Sequence, residues 1–284
     1  MATLDKILAF VARKGWNTEI IVVDDGSSDT TVEIVQQYML VHPELRVIAN
    51  LGNRGKGYSV RNGILHARGD LILFTDADLS SPITEADKLI AAIANGADIA
   101  IGSRWLRSDL QMQRQPLHRQ LLGRIFNLAL RVILGLAFKD TQCGFKAFTR
   151  SAGQTVCQRQ KIERWGFDAE LLFLARENSL IVKEISVAWS HREATRINPL
   201  LDGLHMFGET LRIRWNALTG KYLVPRGSSE PLLASFTELY CSELQRKSLP
   251  WTGHFVVSQQ EKAKSDNLFD ICEDNNCGSE QKAG

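Results

Sequence analysis

Short apolar runs alternate with segments of helical spacing along most of this chain, and that alternation limits the folds it can adopt. Four runs rich in β-branched and other apolar residues lie at residues 19–23, 46–49, 71–75 and 98–101, and a segment with helical periodicity follows each of the first three. Strands that alternate with helices are typical of a mainly parallel sheet with right-handed crossovers. The sequence therefore predicts an α/β fold with helices on both faces of the sheet.

Each of these runs ends in a polar turn. The turns cover residues 24–28, 50–57, 76–78 and 102–104, and three of them contain glycine. The carboxyl ends of parallel strands meet at one edge of a sheet, and open α/β sheets bind their ligands outside that edge. We therefore expect the four turns to line a single crevice.

Asp76 and Asp78 flank one alanine at the end of the third run, which makes them candidate metal ligands. Alternate residues of an extended chain point to the same side, so both carboxylates would face the crevice. Magnesium is commonly held by one or two carboxylates together with substrate phosphates. The pair therefore predicts a site for Mg²⁺ or Mn²⁺, with a solvated acidic turn as the alternative.

Two other turns carry groups suited to a nucleotide. Asp24 and Asp25 follow the first run and could accept hydrogen bonds from a ribose or a base, although such residues also form turns and helix caps. Asn53 and Lys56 precede a predicted helix, where backbone N–H groups, an amide and a cation favour phosphate. Their spacing is not that of a P-loop.

Composition narrows the class of protein. The 284 residues are 44% hydrophobic and 23% charged, as in an ordinary globular protein, and a net charge of +2 gives no indication of a nucleic-acid partner. The five cysteines are odd in number and show no paired spacing in the first 220 residues, which indicates a reducing compartment. No apolar stretch reaches the roughly 18 residues of a membrane span. No G-x-G-x-x-G follows a strand, which argues against a dinucleotide-dependent dehydrogenase.

The motifs together resemble those of a known family. V-V-D-D-G-S-S-D-T, N-x-G-K-G, D-A-D and G-S-R are similar to motifs of inverting GT-A glycosyltransferases that use nucleoside-diphosphate sugars. Two more specific blocks, D-T-Q-C-G-F-K-A-F at 140–148 and E-R-W-G-F-D-A-E-L-L at 163–172, resemble the dolichyl-phosphate β-glucosyltransferases. The resemblance covers about residues 3–222.

This resemblance implies a GT-A (Rossmann-like) fold and a specific reaction. Glucose would pass from UDP-glucose to dolichyl or another polyprenyl phosphate with inversion, giving dolichyl β-glucosyl phosphate for N-glycan assembly. The resemblance further implies a Mg²⁺ or Mn²⁺ cofactor and a place at the cytosolic face of the endoplasmic reticulum membrane, or at the cytoplasmic membrane of a prokaryote. Transfer of mannose or another sugar, and a non-catalytic protein that binds nucleotide sugars, are the alternatives.

Roles for individual residues also follow from the resemblance. Asp168 and Arg104 would be catalytic, and Asp76 and Asp78 would hold the metal. The nucleotide-sugar site would comprise Asp24, Asp25, Asn53, Lys56, Asp76 and Arg196. The acceptor phosphate would meet Arg104, Arg119 and Arg124.

The chemistry of such a transfer agrees with these residue types. A diphosphate leaving group needs its charge neutralised, which a metal ion and basic side chains achieve. A phosphate-monoester acceptor is largely ionised near neutral pH, since its second pKa is about 6, and it needs cations more than a general base. Asp168 could act as a base, or it could orient Arg104 or a sugar hydroxyl.

Two segments have the character of amphipathic helices. Residues 117–138 are strongly apolar with interspersed arginines, and residues 200–219 carry Arg212 and Arg214. Helices of this kind can lie in a membrane interface with their basic residues at the headgroups. Ordinary packing against the sheet is the alternative.

The chain changes character at residue 223. L-V-P-R-G-S at 223–228 matches a thrombin-cleavage linker used in protein expression, with a chance match in a natural, divergent extension as the alternative. The residues beyond it are largely polar. We therefore expect a domain over residues 1–222 and a tail over 223–284 that is excluded from the fold and poorly ordered.

One strand of the family pattern has no counterpart at the start of the chain. The family begins with an apolar strand that leads into a P-x-Y-N-E-type loop, whereas this sequence begins at the helix that would follow, with no transmembrane helix before it. An N-terminally truncated domain is the expectation. Loss of a central parallel strand would leave backbone groups unpaired, which puts the activity of this chain in question.

Overall fold

The structure, a computed structural model, describes residues 2–106, 111–113, 127–190, 199–223 and 252–259. Its strands are β1 (Asn17–Asp24), β2 (Leu45–Ala49), β3 (Leu71–Asp76), β4 (Ile99–Ser103), β5 (Gln111–Gln113), β6 (Phe145–Thr149), β7 (Val182–Ser186), β8 (Trp189–Ser190) and β9 (Thr252–Gln259). Its helices are α1 (Ala2–Lys14), α2 (Thr31–Met39), α3 (Lys56–His66), α4 (Ala86–Ala94), α5 (described over residues 127–134), α6 (Arg150–Arg159), α7 (Phe167–Glu177) and α8 (Pro199–Leu218), with a 3-10 turn at Ile83–Glu85.

Seven strands form one sheet in the order β2-β1-β9-β3-β6-β4-β7. The strands β2, β1, β9 and β3 are parallel to one another, and β4 is parallel to β7. β6 is antiparallel to both of its neighbours. A second, two-stranded sheet pairs β5 with β8. The prediction of a mainly parallel α/β sheet is confirmed.

The two faces of the sheet carry separate apolar cores. Ile21 and Val23 of β1 belong to a core that includes residues of α3, α6 and α7. Ile20 and Val22 belong to the opposite core, which includes residues of α1 and α4. Successive residues of a strand point to opposite faces, so a strand covered on both sides is apolar at nearly every position. This confirms the predicted helices on both faces and explains the continuous apolar runs in the sequence.

The tail contributes a strand that the sequence did not lead us to expect. β9 lies between β1 and β3 and pairs in parallel with both of them. The expectation that residues 223–284 lie outside the fold is therefore wrong for residues 252–259, and the position between β1 and β3 is filled. An empty position would leave two rows of backbone N–H and C=O groups unpaired, and β9 supplies their partners. Apart from Leu223, the rest of the tail lies outside the described residues.

The helix predicted over residues 200–219 is present as α8 and is amphipathic. Its inner face buries Thr210, Ile213 and Asn216, while a row of apolar side chains faces outward. The helix predicted over 117–138 is described only from residue 127, where α5 exposes Leu128 and Val132. Among the described residues, no helix combines the length and the hydrophobicity needed to cross a membrane.

Two glycines allow the start of α3 to lie directly against the loop before α7. A Cβ at Gly57 would stand 2.7 Å from the Phe167 Cβ and 2.8 Å from the Ile162 carbonyl oxygen. Gly55 has φ +103° and would place a Cβ 2.7 Å from the Glu163 carbonyl oxygen. The N-x-G-K-G and E-R-W-G-F-D motifs therefore touch, although more than a hundred residues separate them.

The close approach at Gly57 leads to a stability prediction. Gly57→Ala should lower the free energy of unfolding by roughly 2 kcal/mol, because the new methyl group overlaps backbone and Cβ atoms that cannot move aside. Gly208→Ala is the control, since nothing lies within 4 Å of a Cβ there and alanine favours a helix. Urea unfolding measures the free energy of unfolding of both variants. Equal stability of the two variants would contradict the close contact at Gly57.

Candidate active site

The D-A-D segment forms a turn rather than a continued strand. β3 ends at Asp76, and the Leu79 N–H donates to the Asp76 carbonyl over 3.1 Å. Thr3 Oγ1 donates to the Ala77 carbonyl over 2.7 Å, so the start of α1 holds the turn in place. The expectation that both carboxylates project from one extended segment is wrong, because Asp78 lies beyond the strand and is exposed.

Lys56, the first residue of α3, balances the charge of Asp76. Its Nζ lies 2.7 Å from Asp76 Oδ1. Three aromatic rings surround the ammonium group with centroids at 5.6 to 5.9 Å: those of Phe74, Trp165 and Phe167. Burial by itself would lower the pKa of Lys56, but Asp76 and Asp168 raise that pKa above its ordinary value. The crevice therefore holds a lysine that stays protonated at neutral pH.

Gly144 lies directly against the Asp76 carboxylate. A Cβ at this position would overlap the Asp76 carboxylate group. The glycine of the D-T-Q-C-G-F-K motif therefore leaves the space that Asp76 occupies. Its place in the motif follows from this contact rather than from a turn.

Asp76 and Asp78 are the residues of this turn that could hold a divalent cation together with substrate oxygens. Asp76 Oδ1 is buried and, beyond its ion pair with Lys56, accepts no well-aligned hydrogen bond from the described residues. Asp78 is exposed and accepts from the Ser80 N–H and hydroxyl at 2.8 and 2.9 Å. In the part of the chain that the structure describes, no three potential metal ligands cluster. Coordination by two carboxylates completed by phosphate oxygens is typical of Mg²⁺.

Asp24 and Asp25 are buried and hold the neighbouring turns. Asp25 accepts from Asn50 Nδ2 at 2.9 Å and from the backbone N–H groups of Arg54 and Gly55 at 2.9 and 2.8 Å. Asp24 Oδ2 accepts from the backbone N–H groups of Gly26 and Ser27, at 3.1 Å in each case. These carboxylates order the crevice loops, on which Asn53 is exposed.

Arg104 forms a bidentate pair with Asp140. Arg104 Nε and Nη2 donate to the two Asp140 oxygens over 2.7 and 2.8 Å, and the Arg104 N–H donates to Oδ2 over 3.0 Å. The Asp140 side chain is 1% exposed and that of Arg104 is 20% exposed. Burial alone would raise the pKa of Asp140, but the guanidinium holds that pKa below its ordinary value. The G-S-R turn and the D-T-Q-C-G-F-K motif are thereby joined.

Asp168 is paired with a buried lysine. Lys146 Nζ donates to Asp168 Oδ1 and, over 2.5 Å, to the Cys143 carbonyl. Burial raises the pKa of Asp168 above its ordinary value, although Lys146 and Lys56 act in the opposite direction. The pair places a carboxylate of the α7 motif next to the β6 strand, within electrostatic range of Lys56.

Comparisons with known proteins identify a family. The model for glycosyl transferase family 2 matches residues 2–156. A Drosophila melanogaster protein named dolichyl-phosphate beta-glucosyltransferase is 36% identical over 225 residues, which are 75% of this chain and 69% of that protein. The chain belongs to the dolichyl-phosphate beta-glucosyltransferases of glycosyl transferase family 2.

Relatives from other organisms carry the same name. The human protein is 33% identical over 232 residues, covering 77% of this chain and 72% of its own length. A Trichomonas vaginalis protein is 40% identical over 198 residues, covering 66% of this chain and 58% of its own length. This glycosyltransferase chain therefore spans about three fifths to three quarters of these relatives.

Solved structures agree with the fold of this glycosyltransferase. Glucosyl-3-phosphoglycerate synthase from Mycobacterium tuberculosis in complex with UDP is similar with a TM-score of 0.50 at 14% identity, covering 72% of this chain and 82% of that one. The same synthase with Mn²⁺ and UDP-glucose is similar with a TM-score of 0.50 at 16% identity, covering 72% and 80%. At such identities the likeness concerns the fold alone, and it agrees with the predicted GT-A architecture.

The structure brings together part of the predicted site of this glycosyltransferase. Lys56 interacts electrostatically with Asp76, Asp78 and Asp168, and Arg104 interacts with Asp168. Three predicted arginines lie outside the described residues: Arg119, Arg124 and Arg196. The roles assigned to all these residues stay predictions.

Sequence reasoning assigned no role to three residues that shape this site: Asp140, Gly144 and Lys146. All three lie inside the D-T-Q-C-G-F-K motif. The available signal was Lys146, a charged residue between apolar residues of a strand. A buried charge needs a partner of opposite sign, so this position indicated a buried ion pair.

The Arg104–Asp140 pair leads to a prediction with a defined pH dependence. Asp140→Asn should lower the free energy of unfolding by about 3 kcal/mol at pH 7, because the Arg104 cation loses its carboxylate. The pKa of Asp140 is lower in the folded protein than in the unfolded chain. The stabilisation by Asp140 is therefore complete when the pH is above its unfolded pKa, near 4. It is lost as the pH falls through the folded pKa, which lies below that value. Urea unfolding of both proteins between pH 7 and pH 3 measures this convergence.

The control for this experiment is Asp70→Asn, because the Asp70 side chain is 69% exposed and its 4.0 Å ion pair with Arg150 lies at the surface, where such pairs contribute little. That variant should match the unsubstituted protein at every pH. A stability gap for Asp140→Asn that stays constant down to pH 3 would contradict the assignment.

Proposed function

We propose that this protein transfers glucose from UDP-glucose to dolichyl phosphate or a related polyprenyl phosphate, with inversion at the anomeric carbon and with Mg²⁺ or Mn²⁺. The observation that carries the proposal is the meeting of Lys56, Asp76 and Gly144 at the carboxyl edge of the sheet, in a chain of this family. The names of the relatives support the acceptor and the sugar. The complexes of the glucosyl-3-phosphoglycerate synthase with UDP-glucose and Mn²⁺ support the donor and the metal.

The residues of the crevice supply what such a reaction requires. Asp76 and Asp78 would hold the divalent cation, which neutralises charge on the leaving diphosphate when bound. Lys56 adds a permanent positive charge beside Asp76. Asn53 would contact the nucleotide from its exposed position, and Asp24 and Asp25 would contribute by ordering the loops on the nucleotide side. Arg196, outside the described residues, would contribute to the donor phosphates.

The acceptor side would rely on cations rather than on a strong base. A phosphate monoester is already largely ionised at neutral pH, so guidance and charge balance matter most. Arg104, held in place by Asp140, would meet the acceptor phosphate together with Arg119 and Arg124. Asp168, which is paired with Lys146, would orient the reacting groups or accept a proton.

A lipid acceptor also requires contact with a membrane surface, and α8 supports this. Five apolar side chains form an outward stripe with exposed fractions from 40% to 71%: Leu204, Phe207, Leu211, Trp215 and Leu218. Arg212 and Arg214 flank the stripe on either side and are exposed. An apolar face bordered by cations fits the interface of a membrane with anionic headgroups. The family resemblance supports the cytosolic face of the endoplasmic reticulum membrane as the proposed location.

A transfer assay tests the reaction. The full chain, in membranes supplied with UDP-glucose, a polyprenyl phosphate and Mg²⁺ or Mn²⁺, should form a glucolipid. Asp78→Ala should reduce the rate at least a hundredfold with little change in thermal stability, because the exposed carboxylate contributes to the metal and not to the core. Asp70→Ala, directly before β3 and therefore at the opposite edge of the sheet, should retain the rate of the unsubstituted chain.

The outcomes separate the proposed function from its rivals. Formation of the lipid product from a mannose donor instead of UDP-glucose would reject the proposed donor. Binding of UDP in calorimetry without turnover of any donor would indicate a non-catalytic protein that binds nucleotide sugars. Full activity of Asp78→Ala would reject the metal role of that residue.

Membrane binding by α8 has its own test. Leu204→Glu/Leu218→Glu should weaken sedimentation with phosphatidylcholine vesicles containing phosphatidylinositol by roughly tenfold or more, because two exposed leucines no longer enter the interface. Leu40→Glu/Val41→Glu is the matched control, since these residues directly follow α2 and are 85% and 72% exposed. Equal vesicle binding by both variants would contradict the role of the stripe.

A further inference from the structure

Of the three described aromatic rings that surround Lys56, only that of Trp165 is accessible from outside. Phe74 and Phe167 are fully buried, whereas Trp165 is half-buried. The centroid of its ring lies 5.6 Å from Lys56 Nζ. The indole N–H of Trp165 has no hydrogen-bond partner among the described residues, and it is not buried. The crevice therefore contains an aromatic surface and a donor that the fold itself does not use.

Trp165 is close both to the groups proposed for the donor diphosphate and to the residue proposed for the reaction. Lys56 pairs over 2.7 Å with Asp76, the proposed metal ligand. Asp168 follows Trp165 by three residues and lies within electrostatic range of Lys56. In a nucleotide sugar, the hexose is bonded directly to the terminal phosphate. A sugar with its diphosphate at Lys56 and its anomeric carbon near Asp168 would therefore lie beside this ring.

The backbone on either side of Trp165 is held by two other helices. The Tyr58 N–H, in the first turn of α3, donates to the Glu163 carbonyl over 2.9 Å. The Gly166 N–H donates over 2.7 Å to Glu209 Oε2, on α8. A binding group on a supported backbone loses little freedom when its ligand arrives. The indole is therefore mounted for binding and does not owe its position to the ligand.

We propose that Trp165 is the sugar-binding platform of the donor site and takes the hexopyranose ring of the nucleotide sugar. The inference rests on the proposed function and deepens it, because it names the residue that contacts the sugar. The ring hydroxyls of glucopyranose are equatorial, so the faces of the sugar expose C–H groups, to which an indole offers a broad apolar surface. The indole N–H can also donate to a sugar hydroxyl. Aromatic surface combined with a few polar groups is typical of small-molecule sites.

Calorimetry of the full chain with UDP-glucose and with UDP, each in the presence of Mn²⁺, tests the proposal. Trp165→Leu should raise the Kd for UDP-glucose roughly tenfold and change the Kd for UDP by less than about twofold, because only the sugar loses its contact. Lys56 keeps its pair with Asp76 in this variant. A merely structural role of Trp165 would weaken the binding of both ligands alike.

Trp16→Leu is the matched control. Trp16 is also half-buried, and Lys14 Nζ lies 5.6 Å from its ring, but it directly precedes β1 and so lies at the opposite edge of the sheet. This variant should change neither Kd.

A conservative variant keeps the test decisive if Trp165→Leu unfolds. Trp165→Phe keeps an aromatic ring at this position and loses the indole N–H together with part of the stacking surface. It should raise the Kd for UDP-glucose roughly threefold at an unchanged Kd for UDP.

The possible failures are distinguishable. If the Trp165 variants affect both ligands equally, or neither, the inference is overturned and the proposed function stands. An unchanged Kd for UDP-glucose with a raised KM for polyprenyl phosphate would also overturn the inference, because the ring would then serve the acceptor. If the unsubstituted chain binds neither ligand, the proposed function is overturned and the inference with it.

Discussion

Charges that leave water at one edge of the sheet need partners of opposite sign, and much of the crevice is arranged to provide them. Lys146 pairs with Asp168, and Arg104 pairs with Asp140. An unpaired ion in such a place costs several kcal/mol, so each partner must be held in accurate geometry. Because the partners belong to different segments, these pairs fix the relative positions of β4, β6 and α7.

Close backbone approach is the second constraint. Gly57 allows α3 to touch the loop before α7, and Gly144 leaves the space for the Asp76 carboxylate. A side chain at Gly144 would displace the Asp76 carboxylate, which the proposed reaction uses, and a side chain at Gly57 would push α3 away from the loop before α7. The distant motifs of the family are therefore parts of one packed unit, and their glycines mark the contacts.

The same unit is connected to the outward stripe of α8. Glu209 Oε2 accepts from the Gly166 N–H over 2.7 Å, and the Tyr222 hydroxyl donates to Glu170 over 2.6 Å. These bonds tie α8 and the residues after it to the α7 motif that carries Asp168. The helix that carries the stripe is thus held against the α7 motif.

The sequence by itself determined the class of fold, the edge of the sheet at which the polar turns lie and the amphipathic character of α8. These features depend on local periodicity and on which residues follow each strand. The tertiary structure decided the rest. It made D-A-D a turn, assigned Asp140 and Lys146 to their counter-ions, and placed β9 between β1 and β3. Local sequence cannot specify such pairings, because a buried charge or a strand edge finds its partner among residues that are distant in the chain.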